Sequence, residues 1–257
     1  MADWSPEQYL KFGGERTQPS IDLAAKIRVD SAESILDIGC GPGNSTQVLR
    51  LRWPHAEITG LDTSGEMIEK ARESYPQGKW IVGDASKLDR GQRYDIVFSN
   101  AALQWIPDHN ALIPRLFSLV RRNGAMAVQV PANRRSPLHQ ALLSVSRRPQ
   151  WHRFTAGCQH SLHYHSPEYY YGLLQPLAAR AELWETIYYH MLSGHIELVE
   201  WYKGSGMRPF LERLPDELAR SAFENEVLDA CRSFYPVREH GKILYPFRRI
   251  FFIAYAS

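Results

Sequence analysis

Apolar and polar positions in the first 130 residues follow two alternating rhythms. Short apolar runs bounded by turn residues read as buried strands: Ser34 to Ile38 (SILDI), Glu57 to Leu61 (EITGL), Trp80 to Val82 and Asp95 to Ser99 (DIVFS). Stretches with apolar residues three and four apart read as helices near Asn44 to Arg52, over Glu66 to Ser74 with Met67, Ile68 and Ala71 in phase, and from about Asn110 to Val120. Ser64 is placed to cap the second helix. Asn123 and Gly124 read as the stop of the third, before a strand from Ala125 to Val130. Five β/α steps joined by right-handed crossovers predict an α/β fold with an open, doubly wound, mostly parallel sheet.

After Pro131 the rhythm breaks. Helical patches at Leu138 to Val145 and Tyr169 to Leu174 are separated by Arg-Arg, Pro and His clusters without a clear strand up to residue 183. Trp184 to Met191 reads as a strand, His195 to Lys203 as a helix, Glu217 to Phe234 as a longer amphipathic helix and Ile250 to Tyr255 as a closing strand. This pattern fits a late antiparallel addition to the sheet and a helical cap over its ligand edge.

Composition changes this picture only in part. The 257 residues, 44% hydrophobic and 23% charged, describe a globular chain long enough to need neither disulfides nor a structural metal. A net charge of +2 argues against a dedicated nucleic-acid binder. The charge is uneven, however: residues 131 to 257 hold 15 Lys and Arg against 12 Asp and Glu, with eight of the ten histidines and 20 of the 30 aromatic residues. That half is suited to receive a small anion. Cys40, Cys158 and Cys231 are odd in number and far apart, which suits free thiols in a reducing compartment. The start, MADWSPEQYLKF, lacks signal-peptide features, and no apolar run approaches a membrane span, so a cytoplasmic location without membrane association is expected.

The strongest local signal is Ile35 to Thr46, ILDIGCGPGNST, a glycine-rich turn between a strand and a helix. Glycines there let backbone approach a ligand at the carboxyl ends of the strands, and Asp62 ends the next strand. A dinucleotide fingerprint, as in an NAD-binding reductase, wants glycine at 39, 41 and 44, whereas this chain has Gly39, Gly41 and Gly43, then Asn44, with Pro42 inside the turn.

The run Asp37-Ile-Gly-Cys-Gly-Pro-Gly-Asn44 resembles the first motif of class I S-adenosylmethionine-dependent methyltransferases, and later signals arrive in that family's order. The resemblance implies a seven-stranded, Rossmann-like sheet and a cofactor site that includes Asp37, Gly39 and Gly41. It gives Asp62 to the ribose hydroxyls, Met67 to the adenine face, Asp84 and Ala85 to the adenine edge, and Asn100 and Ala101 to the methionine part. Asp62 also suits a helix cap, and Met67 suits ordinary core. The absence of an N/D-P-P-Y/W sequence after the fourth strand disfavours methylation of nucleic-acid bases. Three further stretches, Asp3 to Arg16, Ala102 to His109, and Tyr188 to His190 with Gly206 to Pro209, resemble the bacterial trans-aconitate 2-methyltransferase family along the whole chain. The likeness implies methyl transfer from S-adenosylmethionine to one carboxylate of a small tricarboxylate, leaving S-adenosylhomocysteine, with no metal and as a monomer or weak homo-oligomer. Another small organic acid or a quinone precursor is the alternative substrate.

A carboxylate is already a nucleophile at neutral pH, so catalysis needs positioners and compensating cations rather than a base. Arg208, Arg249, Tyr188, Tyr189 and His190 are the candidates of the second half, with Trp105 and His109 reaching in from the loop after the fourth strand. Strand alternation lets only one of Tyr188 and Tyr189 face the pocket, with His190 on the face of Tyr188. Trp105 suits a lid over the sulfonium equally well. Arg208 suits a solvated loop charge and Arg249 a surface ion pair. Arg16 is expected to clamp the cofactor carboxylate, or else to be a helix-surface charge. The chain then divides into a lid segment over 1–30 anchored by Trp4, Tyr9 and Phe12, a cofactor core over 31–130 and a cap with closing strands over 131–257.

Overall fold

The computed structural model describes residues 13–89 and 91–257, so Trp4, Tyr9 and Phe12 lie outside the described residues. The first half runs α1 (Gly13–Lys26), β1 (Ser34–Ile38), α2 (Asn44–Arg52), β2 (Glu57–Asp62), α3 (Gly65–Ser74), β3 (Lys79–Val82), β4 (Tyr94–Asn100), α4 (His109–Phe117) and β5 (Val120–Pro131). The second half runs α5 (Pro137–Ser146), α6 (Pro149–Thr155), α7 (Pro167–Leu174), β6 (Arg180–Leu192), α8 (His195–Lys203), α9 (Arg208–Leu211), α10 (Glu217–Cys231) and β7 (Ile243–Tyr255). The strands form one seven-stranded sheet in the order β3-β2-β1-β4-β5-β7-β6, parallel from β3 to β5, with β7 antiparallel to both β5 and β6. Strand order reverses between β1 and β4, which opens a crevice at their carboxyl ends.

Alternation along each strand divides the core into two layers. Ile35, Ile58, Phe98, Phe251 and Ile253 pack with Leu23 of α1, Ile27 just after it and Leu49 of α2 on one face. Leu36, Val97, Met126 and Phe252 pack with Leu112, Ile113 and Leu116 of α4 and Tyr170 and Leu174 of α7 on the other. A third cluster joins α5, α6, α8, α9 and α10 to the outer end of the β6/β7 ribbon through Leu192, Ile243, Tyr245 and Phe247. That cluster is the cap. It overhangs the sheet because the thirteen-residue strands β6 and β7 continue past the end of β5.

Four expected boundaries are corrected. The helix expected to run to Val120 ends at Phe117, and Asn123-Gly124 is a kink inside β5 rather than a helix stop. Register between β4 and β5 jumps there, from Tyr94 opposite Val120 to Ile96 opposite Ala125. Asn123 adopts φ 61°, and a Cβ on Gly124 would lie 2.5 Å from the Asp95 carbonyl oxygen, so both residue types serve the bulge. Strand β6 begins at Arg180 rather than Trp184, and the last helix ends at Cys231 in a 3₁₀ turn. Ser64 caps α3 as expected, its hydroxyl accepting from the Met67 amide at 3.2 Å.

Two buried imidazoles make the fold acid-sensitive. His139 meets the Tyr202 hydroxyl at 2.5 Å, and His190 stacks on Trp201 with ring centres 4.4 Å apart. Burial, helped by the charges of Arg134 and Arg249 respectively, pushes both imidazoles down to about 4. The folded values lie below the unfolded 6.5, so stability is complete above pH 6.5 and falls as pH drops toward 4. A difference of this size is worth about 3 kcal/mol per group. Asp37 opposes this in part: burial raises it to about 6 from 3.8, so it favours the folded state as pH falls through 6. We expect the melting temperature to drop between pH 6.5 and 4.5, with His139→Gln and His190→Gln each flattening the profile. A wild-type profile level across that window would contradict neutral, buried imidazoles.

Candidate functional site

The crevice begins at the turn after β1. Gly39, Gly41 and Gly43 all have positive φ, and the amides of Gly39 and Cys40 both donate to the Leu61 carbonyl, at 2.7 and 3.1 Å, which ties the turn to the end of β2. Glycine is required at 39, where a Cβ would lie 2.1 Å from that of Ala102, whereas a Cβ at Gly41 would meet nothing within 4 Å. Open space beside Gly41 is bounded by Asp62, whose carboxylate accepts the Gly41 amide at 2.9 Å and the Ser64 amide at 2.9 Å. These two bonds fix the plane of the carboxylate at the edge of the open space beside Gly41.

Asp37 lies beneath the turn, fully buried, with one oxygen accepting from the Thr46 and Ser45 hydroxyls at 2.6 and 2.7 Å and the other without a partner. Burial raises it to about 6 against those two hydroxyls, and the Asp62 charge adds to the rise. A cationic group nearby would reverse that shift. Asn100 ends β4, 8% exposed, and its Oδ1 has no partner. Asp84 caps the 3₁₀ turn at Ala85–Lys87 and is held below the usual carboxylate range by the Ser86 hydroxyl, while Ala85 is buried beside it. Met67 is buried too, near the start of α3.

A cavity of about 60 Å³ opens where β4, β5, β7 and the cap meet. Its walls include Arg16 of α1, Ala101, Gln104 and Trp105 of the loop after β4, Pro131 of β5, Trp201, Gly204 and Ser205 of the cap, and Phe247 and Arg249 of β7. Arg16 is only 8% exposed: it donates to the Trp201 carbonyl at 3.2 Å and lies over the Trp201 ring at 5.5 Å. A Cβ on Gly204 would sit 2.8 Å from its Nη2, which explains glycine there. Arg249 is 3% exposed, donates to Gln129 Oε1 at 3.2 Å and lies over Phe247 and Tyr188 at 4.6 and 5.7 Å. Neither is a surface charge. Gln104 gives its Nε2 to the Ala101 carbonyl at 2.6 Å, leaving a buried Oε1 without a partner.

The structure therefore brings Arg16, Ala101, Trp105 and Arg249 to one cavity and Asp37, Gly41 and Asp62 to the adjoining turn. Five candidates lie outside the cavity wall, Tyr189 as the one of the two tyrosines that strand alternation turns outward. His109 is fully buried with Nδ1 at 3.0 Å from the Tyr170 hydroxyl and Nε2 at 2.9 Å from the Leu103 carbonyl, so it braces α4 and the loop after β4. Tyr189 points outward, 59% exposed. Tyr188 faces inward, but its hydroxyl donates to Asp22 of α1 at 2.5 Å, and His190 packs behind Trp201 and Phe247. Arg208 pairs with Glu212 at 2.5 Å and is not part of the cavity wall. We expect His109→Ala to cost about 2–4 kcal/mol of stability through an emptied, polar site. Thermal denaturation would measure this, while a changed substrate Michaelis constant at full folding would restore a direct role.

Gln104, Trp201, Gly204, Ser205 and Phe247 were not singled out from the sequence. Trp201 sits 185 residues from Arg16, and nothing in local spacing joins them. A larger open recess of about 430 Å³ lies at the opposite, amino-terminal ends of β1 and β2, lined by Glu57, Arg93 and Arg121 among others. It mixes charges and lies at the strand ends away from the crevice.

A family model described as a methyltransferase domain matches residues 35–124. Over 99% of both chains, the sequence is 42% identical to a trans-aconitate 2-methyltransferase of Rhodopseudomonas palustris (strain BisB5). It is 40% identical to one of Variovorax paradoxus (strain S110), over 99% of this chain and 98% of that one. Among solved structures, Haemonchus contortus phosphoethanolamine N-methyltransferase 2, bound to phosphomonomethylethanolamine and S-adenosylhomocysteine, superposes with TM-score 0.60 at 14% identity, over 98% of this chain and 57% of that one. The Bacillus subtilis YcgJ protein superposes with TM-score 0.57 at 13% identity, over 93% of this chain and 99% of that one. At these identities the two structures speak for the fold.

Proposed function

The chain belongs to the trans-aconitate 2-methyltransferase family, and on that premise we propose that it methylates one carboxylate of trans-aconitate, giving a monomethyl ester, at the cavity between Arg16 and Arg249. The observation that carries the chemistry is the cavity's described lining, which pairs two arginines with aromatic rings and includes no histidine, lysine or carboxylate. A phenolic or quinone-precursor substrate would need a base there. A tricarboxylate needs cations.

The turn fits a nucleoside with an amino-acid tail. Gly39 and Gly41 shape the cradle, the Asp62 carboxylate beside Gly41 would take the ribose hydroxyls, and Asp84, Ala85 and Met67 would hold the adenine. The unpartnered oxygens of Asp37 and Asn100 suit a donor such as an ammonium group. Arg16, carried on the helix that bonds Asn44 through Thr17, takes the cofactor carboxylate. Bound S-adenosylmethionine supplies a methyl group on a sulfonium, an electrophile that leaves S-adenosylhomocysteine as a neutral thioether. Arg249 orients the acceptor carboxylate, Trp105 and Phe247 exclude water, and no residue has to move a proton.

Incubation with labelled methyl donor and a panel of di- and tricarboxylates and phenols tests this. We expect base-labile label on trans-aconitate and none on a phenol. Folded protein that is stabilised by NADH and not by S-adenosylhomocysteine would overturn the reading.

A further inference from the structure

Gln129 stands near the carboxyl end of β5, paired with Asn100 of β4 on one side and Phe251 of β7 on the other, and is fully buried. It is a lone polar residue in the apolar run Ala127 to Val130. Its backbone carbonyl accepts the Ala101 amide at 3.0 Å, and its side-chain Oε1 accepts from Arg249 Nη1 at 3.2 Å. One residue thus joins the end of the cofactor strand to the arginine of the acceptor cavity.

The contact with Arg249 also fixes which way the amide lies. Oxygen must face the guanidinium, so Nε2, a donor with no partner, is turned from it. An unmet buried donor is destabilising, a penalty that an apolar residue in this strand would avoid. Glutamate would satisfy the same arginine more strongly, through a charge-assisted bond. It would also neutralise the cation where an anion has to bind. A neutral amide holds the guanidinium in place and leaves its charge at the cavity wall.

We infer that Gln129 is a positioning residue for the acceptor: it acts through Arg249, setting the orientation of the guanidinium without cancelling its charge. This rests on the carboxyl-methylation reading above. It assigns to β5 a part in recognising the acceptor, in addition to its part in the sheet.

The test compares wild type, Gln129→Glu and Gln129→Met in steady-state kinetics with trans-aconitate and in calorimetric binding of trans-aconitate to the S-adenosylhomocysteine complex. Gln129→Glu should raise the Michaelis constant about 30–100-fold while kcat stays within about threefold, since the lost interaction acts equally in ground and transition states. S-adenosylhomocysteine affinity should be kept. The loss should appear to the same extent in calorimetric binding of trans-aconitate, a match that a merely structural defect, which would lower kcat and cofactor affinity as well, would not show. Gln129→Met should raise the Michaelis constant about 10-fold, again with kcat within about threefold. If Gln129→Glu does not fold, Gln129→Met carries the test through its split between the Michaelis constant and kcat. Wild-type activity with the substrate Michaelis constant of both variants within about threefold of it overturns the inference alone. A folded wild type that neither binds nor methylates any carboxylate overturns the carboxyl-methylation reading and the inference with it.

Discussion

Replacing Arg249 with methionine should raise the Michaelis constant for trans-aconitate about 100-fold or more, which corresponds to about 2.7 kcal/mol of lost binding. The size follows from where the guanidinium sits. It is 3% exposed on β7, opposite Pro131 of β5 and Thr186 of β6, and it is held by Gln129 and by the faces of Phe247 and Tyr188. Hydrogen bonds from a charged donor are worth about 1.5–3 kcal/mol, and burial keeps salt from screening them. Methionine preserves the packing of the side-chain stem, but leaves Gln129 Oε1 without its donor, so we expect stability to fall by about 1–3 kcal/mol as well. Binding of S-adenosylhomocysteine should change little, because Asp37, Asp62 and the glycine turn are untouched. Arg249→Lys should fall between, since an ammonium keeps the charge and loses the planar fork. Kinetics alongside calorimetry would decide the matter: an unchanged Michaelis constant in a folded Arg249→Met protein removes Arg249 from the acceptor site.

The cofactor side of this site was far more legible in the sequence than the acceptor side, and the reason is distance along the chain. Asp37, Gly39, Gly41, Asp62 and Ser64 fall in strand–turn–helix units whose geometry is set within a few residues, so periodicity and capping chemistry place them. The acceptor cavity is assembled from α1, the loop after β4, β7 and α8. No local pattern predicts that Arg16 will rest on Trp201, or that Gly204 is there to admit it. Strand alternation sorted Tyr188 from Tyr189, but could not foresee that Asp22 takes the Tyr188 hydroxyl. His109 entered as a candidate because it closes the stretch Ala102 to His109 after the fourth strand, whereas burial and two hydrogen bonds make it a brace. The Asn123-Gly124 pair misled because a helix stop and a strand bulge ask for the same left-handed backbone. Gln129 did carry a signal, one polar residue inside an apolar strand, that length and composition arguments pass over.

Gly39→Ala should abolish measurable cofactor binding and destabilise the protein by about 2–5 kcal/mol, a left-handed alanine costing about 1–2 and the overpacked contact about 1–3. The contact is specific: the new methyl would lie 2.1 Å from Ala102 Cβ, in the loop that follows Asn100. Relief requires the β1 turn and the β4 loop to separate, which carries Gly41, Asp62 and Ala101 out of register with one another, since Gly39 and Gly41 are both bonded to the end of β2. Gly41→Ala separates the two costs. With φ 54° it bears the same left-handed strain, but its methyl meets nothing within 4 Å. We therefore expect a folded protein, destabilised by only about 1–2 kcal/mol. Its affinity for S-adenosylhomocysteine should still fall about 10-fold or more, because the methyl occupies the open side of the turn beside the Asp62 carboxylate. A second substitution makes the argument quantitative. Adding Ala102→Gly to Gly39→Ala removes the colliding carbon and should return about 1–3 kcal/mol of stability, leaving the backbone strain. If the double variant is no more stable than Gly39→Ala, the collision is not what fixes glycine at 39, and backbone conformation alone has to account for it.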